Sequence, residues 1–343
     1  MPYKFKLEAA PYHLHKAGNA PKEYEDAWFC DPEGMRFAIA DGAAESSFAK
    51  QWADILVKAF AQAYESLPPI SDPKPKAQDS ERRLESSGVG AIPSFHQTRD
   101  PKEVEECSKQ ILQTKDPKEF EKYFKKLKKC VEEATLSFDH SQDATESIKH
   151  YQEQDDTLAF EEWLLPLQPI WHASIHWDKL PYYAYDKAQE GAFTTFLGLR
   201  LFHTGNAMVG SWEAWAVGDC CLFHVRQEQV IAKFPMKASE DFGNSPYLIC
   251  SHPQQKLNLL EKMETYRGSF SVNDTFFLTT DALGQWFLQE CEAEREPWSK
   301  LLAITNESNF VEFVTNLRRD GTIRNDDTTL IIIQVKKKSA EDA

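Results

Sequence analysis

Acidic residues stand at the ends of apolar runs again and again along this chain, at Asp26, Asp41, Asp219, Asp281 and Asp326. Phe37-Ala38-Ile39-Ala40 precedes Asp41, Phe276-Phe277-Leu278-Thr279-Thr280 precedes Asp281, and the run Leu330 to Val335 follows Asp326. Carboxylates that converge without Cys or His companions select hard, oxygen-loving ions such as Mg²⁺ or Mn²⁺, usually in sites that are half protein and half water. Taken singly, each acid has a plainer reading. Asp41-Gly42 alone is an ordinary turn, and Glu25-Asp26 is a solvated pair beside a strand. His172 and His176 stand four apart, a spacing that binds metal on a helix, but no Glu follows the first His and no third ligand is near. They read as packing histidines in an aromatic-rich crossover from Glu161 to Tyr185.

The elements that must position these acids follow from periodicity. The stretch Met35 to Phe60 organises the chain: Phe37–Ala40 reads as a strand buried on both faces, and Ser46 or Ser47 is placed to cap a helix carrying Phe48, Trp52, Ile55, Leu56, Ala59 and Phe60. Before it, Tyr3, Phe5 and Leu7 alternate with polar residues as a half-buried strand, and Asp31-Pro32-Glu33-Gly34 makes a hairpin turn. From Leu67 to about Gln97 the Pro- and Ser-rich composition predicts a mobile linker. Asp100-Pro101 and Asp116-Pro117 then each place a capping Asp before a Pro at the first helical position. The first of these helices carries Val104, Cys107, Ile111 and Leu112 on one face. The second carries Phe120, Tyr123, Phe124, Leu127, Val131 and Ala134 opposite a solvated lysine face. After Gly191 the pattern turns to strands: Ala192–Leu199, a hairpin formed by Ala214–Val217 and Cys220–Val225 around Gly218-Asp219, Asp274–Thr280, and Leu330–Val335. A helix with Leu283, Trp286, Phe287 and Cys291 follows Asp281.

The totals bound the function. With 54 acidic and 39 basic residues the formal net charge is −15, which disfavours nucleic acid or an anionic membrane as the main partner. No apolar stretch reaches the roughly 20 residues that span a bilayer, and the first residues lack the apolar core of a secretory signal. Seven scattered cysteines without a C-x-x-C spacing suggest neither a disulfide framework nor a zinc knuckle, so a reducing cytoplasm is the expected compartment.

Taken in order, the acidic strand ends resemble the motifs of the metal-dependent (type 2C, or PPM) Ser/Thr protein phosphatases, in a divergent bacterial-type form. Glu25-Asp26 is similar to the family's early E-D pair, Ala40-Asp41-Gly42 to its D-G, Val217-Gly218-Asp219 to its G-D, Thr280-Asp281 to its T-D-G, and Asp326-Asp327-Thr328-Thr329 to its closing D-N/D-x-T. The resemblance covers roughly Met1–Leu67 and Gly191–Val335. It implies an α+β fold of two packed antiparallel sheets flanked by helices, a four-layer sandwich with the metals in a cleft at one edge. The catalytic domain would be discontinuous, 1–67 and 158–336. Residues 68–157 would form a linker and helical-hairpin insertion that selects partners or covers the cleft mouth, and 337–343 a tail.

The resemblance also implies a residue-by-residue site. Asp41 would bridge two Mn²⁺ or Mg²⁺ ions and Gly42 would offer its carbonyl to one. Asp281 and Asp326 would complete the other, and Glu25 and Asp26 would hold metal-bound waters. A water between the ions would attack the phosphorus of a phosphoserine or phosphothreonine on a protein substrate. Departures are visible. Ala43 stands where many members have a His, and Pro21-Lys22-Glu23-Tyr24 occupies the stretch expected to hold a phosphate-binding Arg. Gln285 replaces the Asp of a third-metal site, leaving Asp219 as its remaining ligand, and Ala282 follows Asp281 in place of Gly. These departures define the alternative: a phosphatase-like module that binds or regulates phosphorylated partners with weak catalysis.

Overall fold

The computed structural model describes residues 5–44, 46–62, 101–114, 116–138, 156–203, 209–243, 245–252 and 262–338. The linker expected from Leu67 to Gln97, the cap at Asp100 and the tail from 339 lie outside these residues.

Alternating apolar residues build two five-stranded antiparallel sheets. In chain order the strands are β1 (Phe5–Leu14), β2 (Ala27–Asp31), β3 (Arg36–Ala40), β4 (Phe193–Thr194), β5 (Phe196–His203), β6 (Val209–Val217), β7 (Cys221–Arg226), β8 (Gln229–Phe234), β9 (Ile249–Cys250), β10 (Glu264–Ser271), β11 (Thr275–Thr279) and β12 (Thr328–Lys337). One sheet runs β1-β12-β11-β7-β8 and the other β10-β6-β5-β3-β2, with β4 and β9 a separate short pair. The helices are α1 (Ala49–Gln62), α2 (Pro101–Gln113), α3 (Pro117–Phe138), α4 (Asp156–Leu164), α5 (Leu167–Ser174), α6 (Tyr182–Gln189), α7 (Asp281–Glu292), α8 (Pro297–Leu302) and α9 (Glu307–Arg319).

Strand periodicity of two sorts the side chains into three cores. Phe37, Ile39, Leu197, Leu199 and Trp212 of one sheet meet Leu222, Phe276, Leu278, Ile331 and Ile333 of the other. Their strand neighbours point away. Ala38, Ala40, Phe196 and Trp215 pack under α1 to α5, while Phe223, Phe277, Leu330 and Ile332 pack under α7 to α9. The result is the expected α+β sandwich of four layers.

The hairpin of α2 and α3 belongs to the outer helical layer. Val104, Cys107, Ile111, Phe120, Phe124, Leu127 and Val131 share one buried cluster with Trp52 and Phe60 of α1 and Trp171 of α5. Asp116 Oδ1 accepts from Lys118 N at 2.9 Å, the cap its spacing predicts. Leu112, expected on the buried face, is instead exposed. Of the crossover aromatics, Trp163 and Trp171 are buried whereas Tyr182 and Tyr183 face solvent. His172 stacks on Trp177 at 4.8 Å between ring centres, and α5 ends at Ser174, so His172 and His176 share no helix face.

Two expectations need correction. The segments around Gly218-Asp219 are not a hairpin: β6 lies in one sheet and β7 in the other. Both strands are apolar on both faces and find separate partners, and Gly218, at φ +94°, turns the chain from one layer to the next. Neither Ser46 nor Ser47 begins α1. The helix starts at Ala49 after Phe48 at φ 65°, while Ser46 Oγ donates to Ala43 O at 3.0 Å and accepts from Phe193 N at 3.1 Å. The serine closes the loop after Asp41-Gly42 onto β4.

Candidate active site

The two sheets leave their acidic strand ends at one edge, around a cleft of about 730 Å³. Glu25, Asp41, Gly42, Asp219, Asp281 and Asp326 line it, together with Asp327, Thr195, Lys187 and Arg324. Six of the seven residues assigned from sequence therefore share one cavity, although their positions span some 300 residues. The seventh, Asp26, is fully buried behind it.

Each acid is held by its own local structure. β3 delivers Asp41, whose backbone is gripped by the residues beside β4. Thr195 Oγ1 accepts from Asp41 N at 3.1 Å, while Thr195 N and Thr194 Oγ1 donate to Asp41 O at 2.9 and 2.7 Å. Gly42 packs so close to the preceding loop that a Cβ there would lie 2.7 Å from Glu25 O and 3.1 Å from the Ala49 Cβ. Glycine at that position is what lets Glu25 and Asp41 approach. Asp219 occupies the turn between β6 and β7, and Asp281 is the first residue of α7. Asp326 precedes β12, and its carbonyl accepts from Arg318 Nη2 of α9 at 2.5 Å.

Asp327, Thr329 and Thr280 stand inside the motifs read from sequence, but the clamping roles they take here do not follow from those motifs. Asp327 Oδ2 accepts from Glu25 N at 2.6 Å and Oδ1 from Lys16 N at 2.7 Å, tying the E-D loop to the closing motif. Thr329 Oγ1 donates to Asp26 Oδ2 at 2.7 Å and is itself in contact with the Tyr24 hydroxyl. Thr329 N donates to Thr280 Oγ1 at 3.0 Å, joining the motifs at the ends of β11 and β12. Their side chains look like any turn or strand threonine, so the clue to them lies in long-range pairing. Lys187 comes from α6 in the crossover, and Arg324 from the loop before β12. Arg324 Nη2 donates to Asp281 Oδ2 at 2.6 Å. Lys22, the sequence-level substitute for the missing Arg, is exposed and does not line the cleft.

The electrostatics are those of anions crowded together and drawn out of water. Burial first, then Asp326 and Asp327 among its neighbours, push Glu25 up to about 7. Burial and Asp281 push Asp219 up to about 7. Asp41 is held well above the usual carboxylate range by burial and by Asp26, Asp281 and Asp219. Asp26 is raised likewise, by burial first. Asp26 Oδ1 has no donor, and the facing Asp41 carboxyl can serve as one only when the pair holds a proton.

This donor set fits a divalent cation. The acids outnumber the cleft's basic residues, include no His or Cys, and leave a fully buried carboxylate oxygen unpartnered. As the side chains stand, no three His, Cys, Asp or Glu groups among the described residues surround a single point closely enough to hold an ion. Arg324, bonded to Asp281, supplies part of the missing positive charge.

No protein-family model matches the chain, and no curated protein matches it in sequence. Its fold is similar to those of solved phosphatases. The catalytic domain of the serine/threonine protein phosphatase PstP in complex with two manganese ions aligns over 97% of this chain and 100% of its own, with 12% identity and a TM-score of 0.47. The photosystem II phosphatase PBCP aligns over 96% and 99%, with 14% identity and a TM-score of 0.43. The phosphatase domain of SpoIIE from Bacillus subtilis aligns over 100% and 98%, with 12% identity and a TM-score of 0.39.

Proposed function

We propose that this chain is a metal-dependent phosphatase of the type 2C kind, hydrolysing phosphoserine and phosphothreonine monoesters on proteins. One observation carries the reading: Glu25, Asp41, Asp219, Asp281 and Asp326, remote in sequence, meet at one cleft between the edges of two packed sheets. Asp41 with the Gly42 carbonyl, Asp281 and Asp326 would hold two Mn²⁺ or Mg²⁺ ions, with Glu25 in the wall and Asp26 behind Asp41. Bound there, the ions would supply Lewis-acid charge that activates water and neutralises phosphoryl oxygens.

The chain's own residues do the rest. Asp327, Thr329 and Arg318 fix the loops that carry the acids, so the cleft is ordered before substrate arrives. Lys187 and Arg324 are the basic residues among those lining it and would attract a phosphoryl dianion into an otherwise acidic cavity. Ala43 offers no imidazole to protonate the leaving alkoxide, so that proton would come from solvent. Asp219 would be the remaining ligand of a third ion, because the Gln285 amide is turned to Ser239 O at 3.2 Å. None of the described residues of α2 and α3 is among those lining the cleft, which suits a role in choosing phosphoprotein partners.

The second reading, a phosphatase-like module that binds phosphorylated partners with little catalysis, is favoured by the Arg324–Asp281 ion pair, which places an internal cation on a would-be metal ligand. Hydrolysis of a small aryl phosphate and of a phosphothreonine peptide, with Mn²⁺ and with chelator, separates the two. The phosphatase reading expects turnover that chelator abolishes. Absence of turnover at saturating Mn²⁺, with phosphopeptide binding intact, would leave the binding module.

A further inference from the structure

We propose that Arg324 is the phosphoryl-binding cation of this cleft, held on Asp281 until a divalent ion takes that carboxylate. The inference rests on the phosphatase reading and deepens it.

A phosphoryl group is gripped best by a planar guanidinium, whose paired N–H groups match two oxygens, whereas an ammonium acts as a point charge. The stretch from Pro21 to Tyr24, before the E-D pair, holds no Arg, and its Lys22 is exposed outside the cleft. Of the two basic residues among those lining the cavity, Lys187 and Arg324, only Arg324 has the fork. Its position suits a part-time partner. The Arg324 side chain is 41% exposed and reaches in from the loop before β12, whereas the Asp281 side chain it touches is only 11% exposed. The bond runs through Nη2.

Both oxygens of this carboxylate are engaged, Oδ2 by Arg324 and Oδ1 by the Ala282 N–H, so a dication entering here competes with the guanidinium. Asp281 is already desolvated, and Arg324 eases the crowding with Asp326 that burial makes costly. A dication shared by Asp281 and Asp326 would relieve that crowding more completely and release the guanidinium. Arg324 lies two residues before Asp326, so the loop that would supply one ligand also supplies the cation displaced from the other. Arg318 anchors the base of this loop, with Nη1 on His15 O at 2.9 Å and Nη2 on Asp326 O and Thr328 Oγ1. With the base of the loop held in this way, the handover would run through rotation of the Arg324 side chain. Protein without metal would be self-neutralised, and metal loading would arm it for phosphate.

The test compares wild type with Arg324→Ala and Arg324→Lys in two calorimetric titrations, Mn²⁺ into metal-free protein and inorganic phosphate into Mn²⁺-loaded protein. Removing the competing state should tighten Mn²⁺ binding by Arg324→Ala at least about fivefold. Loss of the charged donor should weaken phosphate roughly tenfold or more, with Arg324→Lys falling between the two. Mn²⁺ affinity in Arg324→Ala equal to or below wild type, or unchanged phosphate affinity, overturns the proposal. Wild-type turnover of an aryl phosphate, measured alongside, keeps the two claims apart. Turnover with unaltered binding in Arg324→Ala removes the Arg324 role alone, and both binding changes without turnover remove the phosphatase reading alone.

Discussion

At Asp41 burial and four neighbouring carboxylates, Asp26, Asp281, Asp219 and Asp326, act in one direction, towards the neutral form. That imbalance is the physical sign of the site at the scale of single residues. It was legible in the sequence because an acid at the end of a run such as Phe37–Ala40 has no packing reason to be there. The cations and clamps were not legible. Arg324 sits in a polar turn like many others, Lys187 just beyond the aromatic-rich crossover, and Asp327 beside a better-matched Asp. Asp327 acquires its role from Glu25, 302 residues away, Arg324 from Asp281, 43 residues away, and Lys187 from lining the same cavity. A ranking of ligands follows. Asp281 would serve the central pair of ions and Asp219 a third whose other acid is Gln285. In a Mn²⁺-dependent assay of aryl phosphate hydrolysis, Asp281→Ala should lose at least about a hundredfold in kcat/KM and Asp219→Ala clearly less. A larger loss for Asp219→Ala would show the roles reversed.

At the scale of elements, the described residues place a charged cluster in the sheet interface away from the cleft. Asp274, 1% exposed, precedes β11 and accepts from Ser271 N at 2.9 Å, from Arg226 Nε and Nη2, and is bonded to His224 Nε2 at 2.8 Å. Burial alone would raise the Asp274 carboxyl, but these bonds outweigh it and hold it below the usual range. His224 is depressed, by burial above all. For both groups the folded pKa lies below the unfolded one. Their contribution is thus fully present above the unfolded imidazole value, and is lost as the pH falls through the folded values of His224 and then Asp274. Denaturant unfolding of wild type should therefore show stability falling from neutral pH into acid, and Asp274→Ala, destabilised by about 3 kcal/mol at pH 7, should lose the part of that slope below the usual carboxylate range, which belongs to Asp274 itself. An unchanged slope in the variant would remove Asp274 from the acid response. This scale also shows why β6 and β7 were misjudged. A two-residue turn between apolar runs reads as a hairpin whether the strands pair or part, and only the surrounding sheets decide which.

For the whole molecule, the four layers were legible from strand alternation and amphipathic helices, which is why the sandwich could be expected from the order of motifs. How the α2–α3 hairpin sits was not, because an apolar helix face does not name its partner. It lies against α1 and α5 in one buried cluster, away from the acidic cleft. Replacing Ile70–Asp155 with a short Gly/Ser linker should lower the melting temperature by baring Trp171 and its neighbours, yet leave turnover of a small aryl phosphate per folded molecule within about threefold, since the loop-closure change is modest. A variant folded by circular dichroism but inactive on that substrate would make the hairpin part of the catalytic machinery. The central claim, that the acidic edge shared by both sheets is a divalent-metal centre, is tested most directly by calorimetric titration of Mn²⁺ into wild type and Asp41→Asn, with folding of both checked by circular dichroism. Wild type should bind two ions, and the variant, deprived of the bridging charge, should bind fewer or far more weakly. Equal Mn²⁺ binding by both proteins, or none by wild type, would contradict the account.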